Sequence, residues 1–414
     1  MSELDPAAAQ PGHPPWTCPF CPLLCDTFGV DLGPPGTPLK LVGSDCPRAN
    51  AALAAFDGAP VALQPQVDGR DCDLDAAIAA AASLLAASHQ PLFGGLGTDV
   101  AGARALYALA CETGAICEPA QGQAMMHGLR ALQDRGGFTT TLAEIKTRAE
   151  LIVCMTGDPT ARYPEFFRRC GVGERDDFQT EMLPMSGDMF DTVGLLAALV
   201  AGRLPAGDER VPAELMALAV RLQAARYSVL VYEPGRLPGQ GALIVEAIQR
   251  IVATLNRSTR AASLSLGGAD GAATVNQVFA WLSGLPLRSR AGPLGLEHEP
   301  LCFDAGRLLA DDAVDMLLWV SSYGPEPAPP QAGMPRIMLG HPGMRPQGGE
   351  ASERRQVFIP VSTPGIGCSG HLFRTDGSVL LPLRPLYEDG LPGVDDVVKR
   401  LTQAVKALKR ERAQ

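Results

Sequence analysis

The feature that most constrains this chain is a series of short runs that are apolar from end to end. Residues 226–235 read RYSVLVYEPG, residues 149–159 read AELIVCMTGDP and residues 314–322 read VDMLLWVSS. PLFGGLG (91–97), RAASLSLGG (260–268), PRIMLGHP (335–342) and RQVFIPVS (355–362) are of the same kind. A strand that faces water on one side alternates apolar and polar residues, whereas a run apolar throughout is covered on both faces. Helical stretches lie between these runs: Leu74–Ser88, a segment starting about Asp99, Glu214–Ala225, Gly241–Asn256 and Val275–Leu282. The alternation predicts parallel sheets with helices on both sides, in at least two Rossmann-like α/β units that can interleave in sequence. At 414 residues the chain is too long for one ordinary core. The segmentation it suggests is an N-terminal cysteine lobe at 1–73, α/β units at 74–235 and 236–394, and a C-terminal amphipathic basic helix at 395–414.

Composition narrows the function classes. A formal charge of −10 disfavours a nucleic-acid partner, which needs a basic face to meet phosphates. The N-terminal MSELDPAAAQPGHPP lacks the basic-then-apolar pattern of a secretory signal. Val193–Gly202, the longest apolar stretch, falls short of the roughly 20 residues that cross a bilayer. The expectation is a cytoplasmic protein with no membrane partner. In the last helix Val397, Val398, Leu401, Ala404, Val405 and Leu408 share a face, and Lys406, Lys409, Arg410 and Arg412 crowd its end, where the helix dipole favours cations. That helix reads either as a surface helix or as a docking element for a partner.

Eleven cysteines are present. Cys72, Cys111, Cys117, Cys154, Cys170, Cys302 and Cys368 are scattered, and read as free thiols packed like small hydrophobes. Cys18, Cys21, Cys25 and Cys46 are different, with the spacing Cys-x2-Cys-x3-Cys-x20-Cys. A cubane [4Fe–4S] cluster needs one thiolate per iron, and a tight loop reaches three corners while a distant residue closes the fourth. Zinc sites usually pair two Cys-x2-Cys knuckles, and the Cys46 side has one cysteine. The spacing favours iron–sulfur, with zinc or an empty loop as alternatives. In parallel α/β sheets ligands gather beyond the carboxyl ends of the strands. The glycine-rich turns expected there are GGLGTD, TGDPTARYP, YEPGRLPGQG and GGADGAATVN.

From the cysteine loop onward the chain resembles the B subunit of formylmethanofuran dehydrogenase, a shortened relative of the molybdenum- or tungsten-pterin formate dehydrogenases. The resemblance rests on CPFCPLLCD (18–26), HGLRALQDRGGFTTTLAEIKTRAELIV (127–153), GDPTARYPEFF (157–167), NQVFAWLSGLP (276–286) and GIGCSGHLFRTDGSVLLPLRPL (365–386), in that order. It implies a molybdopterin-oxidoreductase fold, a [4Fe–4S] cluster on Cys18, Cys21, Cys25 and Cys46, and pterin contacts from the glycine-rich turns at Gly95, Gly97, Gly157, Asp158, Pro159 and Gly235. It also implies a metal-ligating cysteine or selenocysteine just before a His-Gly pair, with His127 as catalytic neighbour. Here that position is Met126, in PAQGQAMMHGLRAL. A thioether cannot ionise, so it replaces a thiolate poorly. Cys117, nine residues upstream on a different strand-like run, is a weak substitute.

The substitution has a counterpart within the resemblance. The formyltransferase/hydrolase complexes of methylotrophic bacteria carry a B subunit of this kind that does no redox chemistry. Such complexes move a formyl group from tetrahydromethanopterin to a methanofuran-like carrier and hydrolyse it to formate. The leading expectation is therefore a non-redox scaffold subunit without molybdopterin or tungstopterin, partnered by amidohydrolase-like and formyltransferase subunits. The alternative is an active molybdenum- or tungsten-pterin subunit interconverting CO2 and formate or formylmethanofuran. A third reading, a nicotinamide-binding oxidoreductase, draws on Gly95, Gly97 and Gly102 with Glu118 about 20 residues on, although these glycines do not follow G-x-G-x-x-G.

Overall fold

The computed structural model describes residues 15–204, 209, 211–267, 269–331, 333–346 and 355–414. Nearly all of the stretch read for a secretory signal therefore lies outside the described residues. Early strands are β1 (Gly29–Asp31), β2 (Lys40–Val42), β3 (Gln66–Val67), β4 (Arg70–Asp71), β5 (Pro91–Gly97) and β6 (Ile116–Cys117). In mid-chain come β7 (Leu151–Cys154), β8 (Gln179–Met182), β9 (Tyr227–Tyr232), β10 (Arg260–Ser265), β11 (Ser289–Gly292) and β12 (Gly295–His298). The last are β13 (Met316–Ser321), β14 (Arg336–Gly340), β15 (Gln356–Pro360), β16 (Gly370–Phe373) and β17 (Leu380–Leu383). The first six helices are α1 (Pro47–Leu53), α2 (Leu74–Ala87), α3 (Val100–Thr113), α4 (Gly122–Arg135), α5 (Leu142–Arg148) and α6 (Phe166–Arg169). They are followed by α7 (Met189–Val200), α8 (Ala213–Ala224), α9 (Gly241–Leu255), α10 (Ala272–Ser283), α11 (Ala305–Ala310) and α12 (Val394–Ala413).

The chain divides into two interleaved compact units. The first takes 1–122, 268–373 and 380–414; the second takes 123–267 and 374–379. These boundaries differ from the sequence segmentation, because pairing and not chain order decides membership. Residues 236–267 stay with the preceding stretch, since β10 hydrogen-bonds in parallel beside β9. The described part of the N-terminal segment, residues 15–73, joins the first unit: β3 pairs with β15, and the Trp16 indole N–H donates to the Gly365 carbonyl at 2.7 Å.

The first unit is built on a nine-stranded sheet in the order β12-β11-β6-β5-β13-β14-β15-β3-β4. Its centre, β6 through β15, is parallel, with Trp319 opposite Gly94 and Leu318 opposite Phe93 and Ile337. Every residue of β5, β13 and β15 is buried, as their largely apolar character requires. Asp73 and Asp99 cap α2 and α3 by accepting the N–H groups of Ala76 and Gly102. The antiparallel additions at the two edges, β11–β12 and β3–β4, were not expected from sequence. They span two to four residues each and carry no apolar run.

Helix α12 packs into the core of the first unit. Val397, Val398, Leu401 and Val405 are fully buried where it packs on α2 and α3. Each such side chain contributes roughly 1.5–3 kcal/mol relative to exposure, so together they rival the net stability of a typical domain. Three of the four cations at its end are engaged: Lys406 and Lys409 pair with Glu112, and Arg412 donates to the Ala86 carbonyl.

The second unit has a four-stranded parallel sheet, β10-β9-β7-β8. Its core joins Leu151, Val153 and Leu230 from the strands to Val193 and Leu196 of α7, Leu215 and Leu218 of α8, and Ile244 and Ile248 of α9. The stretch at Val193–Gly202 belongs largely to α7, and no helix of the described residues is long and apolar enough to cross a membrane.

None of the eleven cysteines is in a disulfide. Cys117, Cys154 and Cys170 are buried as expected of packed thiols, and Cys72 and Cys368 are half-buried. Cys111 and Cys302 depart from that expectation by lying exposed, because each sits on the solvent side of its segment.

Candidate functional site

The cysteine loop is folded by its own backbone. Cys18 N–H donates to the Cys25 carbonyl at 2.9 Å, and Leu24 N–H closes a turn on the Cys21 carbonyl at 3.0 Å. Leu24 adopts φ 44° and enters a cluster with Tyr323, Leu372 and Leu383, which seats the loop on the first unit. Cys46 immediately precedes α1, and two residues later Arg48 donates to the Phe20 carbonyl at 2.6 Å, tying that helix to the loop. Cys18, Cys25 and Cys46 are buried and Cys21 half-buried.

Burial pushes the Cys18 thiol well above its ordinary range, with Cys25, Cys21 and Cys46 near enough to add to the effect. Burial also pushes Cys21 up to about 11, against the pull of Arg48. Buried thiols such as Cys18 and Cys21 ionise side by side only near a group that brings positive charge, and an iron–sulfur cluster is such a group. Among the described residues no three His, Cys, Asp or Glu side chains converge as ligands of a metal ion, so the four cysteines are neighbours without a closed ligand shell.

The glycine-rich turns lie at the two places where topology makes a crevice. In the first unit the chain leaves β5 toward β6 on one side and β13 toward β14 on the other, so strand order reverses between β5 and β13. In the second unit it reverses between β7 and β9. Gly95 and Gly97 belong to the first crevice; Gly157, Asp158, Pro159 and Gly235 belong to the second.

Close packing accounts for the first pair. A Cβ on Gly95, at φ 72°, would lie 2.6 Å from the Val320 carbonyl oxygen and 2.8 Å from the Trp319 indole. One on Gly97 would lie 3.0 Å from the Asp270 carbonyl oxygen. Beyond them the crevice is polar: Thr98 Oγ1 and the Tyr323 hydroxyl are buried without a hydrogen-bond partner. Burial lifts the Tyr323 phenol well above its usual range, with Asp99, Cys368 and Asp270 nearby.

In the second crevice Gly157 has φ 83°, and a Cβ there would meet nothing within 4 Å. Asp158 closes its own turn by accepting the Thr160 N–H at 2.8 Å and hydroxyl at 2.7 Å, which holds its carboxyl below the usual range. Glu233 follows β9 directly and is 3% exposed. Its N–H donates to Thr156 Oγ1 at 3.1 Å, and its carboxylate accepts two hydrogen bonds from Arg162.

Met126 and His127 lie on α4, 1% and 4% exposed. The His127 ring rests against the start of α9: a Cβ on Gly241 would be 3.0 Å from its Cδ2 and 2.6 Å from Leu237 Cβ. Cys117 is buried on β6 with its thiol toward the Ala115 carbonyl. The cysteine quartet and Cys117 thus belong to the first unit, and Met126 and His127 to the second.

Three groups escaped sequence reasoning: the unpartnered Thr98 and Tyr323 hydroxyls, the Arg162–Glu233 pair, and a buried network around Arg288. Only Glu233, an acid at the end of an apolar run, left a visible signal. In the network Arg288 is 1% exposed and donates to Glu118 at 2.7 and 2.8 Å, to Asp304 at 2.5 Å and to the Pro300 carbonyl. Burial pushes Glu118 up to about 7 against the pull of Arg288. This engagement removes Glu118 from the ribose-binding role of the nicotinamide reading. Gly102 in turn is required by Thr98, whose Oγ1 would lie 2.1 Å from its Cβ.

No protein-family model matches the chain. The B subunit of the formyltransferase/hydrolase complex Fhc of Methylorubrum extorquens is 33% identical over 334 residues, covering 76% of this chain and 89% of that one. The B subunit of the tungsten-containing formylmethanofuran dehydrogenase 2 of Methanocaldococcus jannaschii is 26% identical, covering 94% and 98%. Among solved structures, a chain of the FhcABCD complex of Methylorubrum extorquens, in complex with methylofuran, superposes with a TM-score of 0.72 at 28% identity, covering 83% of this chain and 99% of that one.

Proposed function

Because the chain belongs to the B-subunit family of formyltransferase/hydrolase complexes, kin to the B subunits of formylmethanofuran dehydrogenase, we propose that it serves as the B subunit of such a complex, as a scaffold without redox chemistry of its own. Its partners are the amidohydrolase-like and formyltransferase subunits, which carry the transfer of a formyl group from tetrahydromethanopterin to a methanofuran-type carrier and its hydrolysis to formate. The assembly works in the cytoplasm, and the fold is of the molybdopterin-oxidoreductase type with a cysteine lobe at its N-terminus.

The observation that carries this reading is Met126. A neutral thioether, 1% exposed, stands where a tungsten or molybdenum centre needs an ionised sulfur. Of the pterin positions, Gly95 and Gly97 are closed in by β13 and Asp270, whereas Gly157 has open space beside it. A [4Fe–4S] cluster does suit Cys18, Cys21, Cys25 and Cys46, where it would store an electron or brace the lobe.

A second reading, an active pterin-metal subunit, draws on the retained quartet and on the 94% of the chain that aligns with the archaeal tungsten-containing relative. One experiment separates the two. The complex is purified through a tag on this chain and assayed for partner subunits, formyl hydrolysis, tungsten, molybdenum, pterin and iron. The scaffold reading expects co-purifying partners and hydrolysis with neither heavy metal nor pterin. Tungsten or molybdenum stoichiometric with the chain, together with pterin, overturns it.

A further inference from the structure

We propose that the outer edge of β8 seats an extended, lysine- or arginine-bearing segment of a sister subunit, which adds to the second unit's sheet as a new edge strand. The inference rests on the assignment to a multisubunit complex, and names the place and the chemistry by which one partner holds on. β8 ends the order β10-β9-β7-β8 and pairs in parallel with β7 alone. Gln179 N–H donates to the Glu150 carbonyl at 2.8 Å and Leu183 N–H to the Cys154 carbonyl at 3.0 Å, so both turn their N–H groups toward the β7 side. Backbone direction alternates along a strand, and the alternate residues, Thr180 and Met182, therefore turn their N–H and C=O groups outward.

The strand lacks the usual guards of an edge. Lysines, prolines and bulges discourage pairing at sheet edges. β8 reads Gln-Thr-Glu-Met, keeps one register against β7 throughout, and meets its first proline, Pro184, only after it has ended. Met182 and Met185 are 40% and 56% exposed. Their unbranched, polarisable side chains adapt to the surface of a partner. Charge decides which partner fits. Residues 176–202 hold Asp176, Asp177, Glu181, Asp188 and Asp191, with neither lysine nor arginine. Arg221 pairs with Glu181, and Arg175 and Arg226 pair with Asp177. Asp176, Asp188 and Asp191 form no ion pair among the described residues. A basic segment gains charge pairs there that an acidic or neutral one lacks, and the attraction speeds its arrival. Main-chain hydrogen bonds to Thr180 and Met182 supply the hold, and alternate side chains of the incoming strand meet the methionines.

The test is residue-resolved amide hydrogen exchange on the complex purified through this chain and on the full chain purified alone. In the complex the Thr180 and Met182 amides exchange at least about tenfold more slowly than in the chain alone. Thr180→Pro removes only an outward N–H, which an edge strand tolerates, so the chain folds while the sister subunits it retains fall at least about tenfold. Asp176→Lys, at an exposed acid without an ion pair, lowers that retention too. A complete complex whose Thr180 and Met182 amides exchange as fast as in the chain alone overturns the proposal. So does protection already present in the chain alone, which would mean that a second copy covers the edge. Full retention by either variant overturns it as well. Should Thr180→Pro fail to fold, the exchange of the wild-type complex decides. A purification that brings no sister subunit ends the scaffold assignment together with this inference, whereas a complete complex with an unprotected β8 edge ends this inference alone.

Discussion

Replacing Gly95 by alanine tests whether that glycine serves packing or a cofactor. The added Cβ meets the Val320 carbonyl oxygen at 2.6 Å and the Trp319 ring at 2.8 Å, and Trp319 is held in register on β13. At φ 72° an L-residue costs about 1–2 kcal/mol. The reduced freedom of the unfolded chain returns about 0.4–1 kcal/mol. Overpacking adds about 1–3 kcal/mol, and the total spans about 1–5 kcal/mol. Gly69, in the same unit, has φ 76° with no atom within 4 Å of where a Cβ would sit, so Gly69→Ala carries the backbone cost alone, about 1 kcal/mol or less. Trp16, Trp281 and Trp319, the three tryptophans of the chain, all belong to the first unit, so tryptophan fluorescence during urea denaturation reads that unit selectively. Equal destabilisation by the two substitutions refutes the packing argument and makes Gly95 a candidate cofactor contact again.

Two further outcomes follow from buried charges. Arg288→Met leaves Glu118 and Asp304 without their cation and should cost about 3–5 kcal/mol, whereas Arg290→Met, at a half-buried pair with Glu297, should cost about 1 kcal/mol or less. Equal costs in urea denaturation would show that burial is not what matters. Burial pushes His341 down to about 4 from the usual 6.5, with Nδ1 accepting the Gly343 N–H and its ring edge-on to Phe56. The stability this neutral ring contributes is complete above pH 6.5 and is lost as pH falls toward 4. The loss is roughly 3 kcal/mol by linkage. His341→Gln should flatten that part of the pH–stability curve, and an unchanged slope would remove His341 as its source.

Much of the architecture was legible because its signals are local. The runs at 91–97, 151–154, 227–232 and 316–321 are dominated by apolar residues, and each became a strand buried on both faces. The helix starts read at Leu74 and about Asp99 agree with α2 and α3, whose caps Asp73 and Asp99 act within three residues. The edge strands β3, β4, β11 and β12 were illegible because two to four residues of mixed polarity carry no period. The site was half legible. The turns could be placed at the carboxyl ends of strands, but what fills them was not visible, since Gly95 looks the same whether it faces a phosphate or an indole ring.

Sequence alone determined the α/β class, the cysteine quartet, and the identity of the sulfur at Met126, all properties of residues read singly or in short windows. Tertiary structure decided how strands far apart in the chain were ordered, and with that everything that depends on juxtaposition. Arg162 and Glu233 are 71 residues apart, and Glu118 and Arg288 are 170 apart. No local pattern marks either pair, because their partnership exists only once β7 lies beside β9 and β6 beside β11. An ionised side chain buried by the fold must find its counter-charge wherever strand order places one.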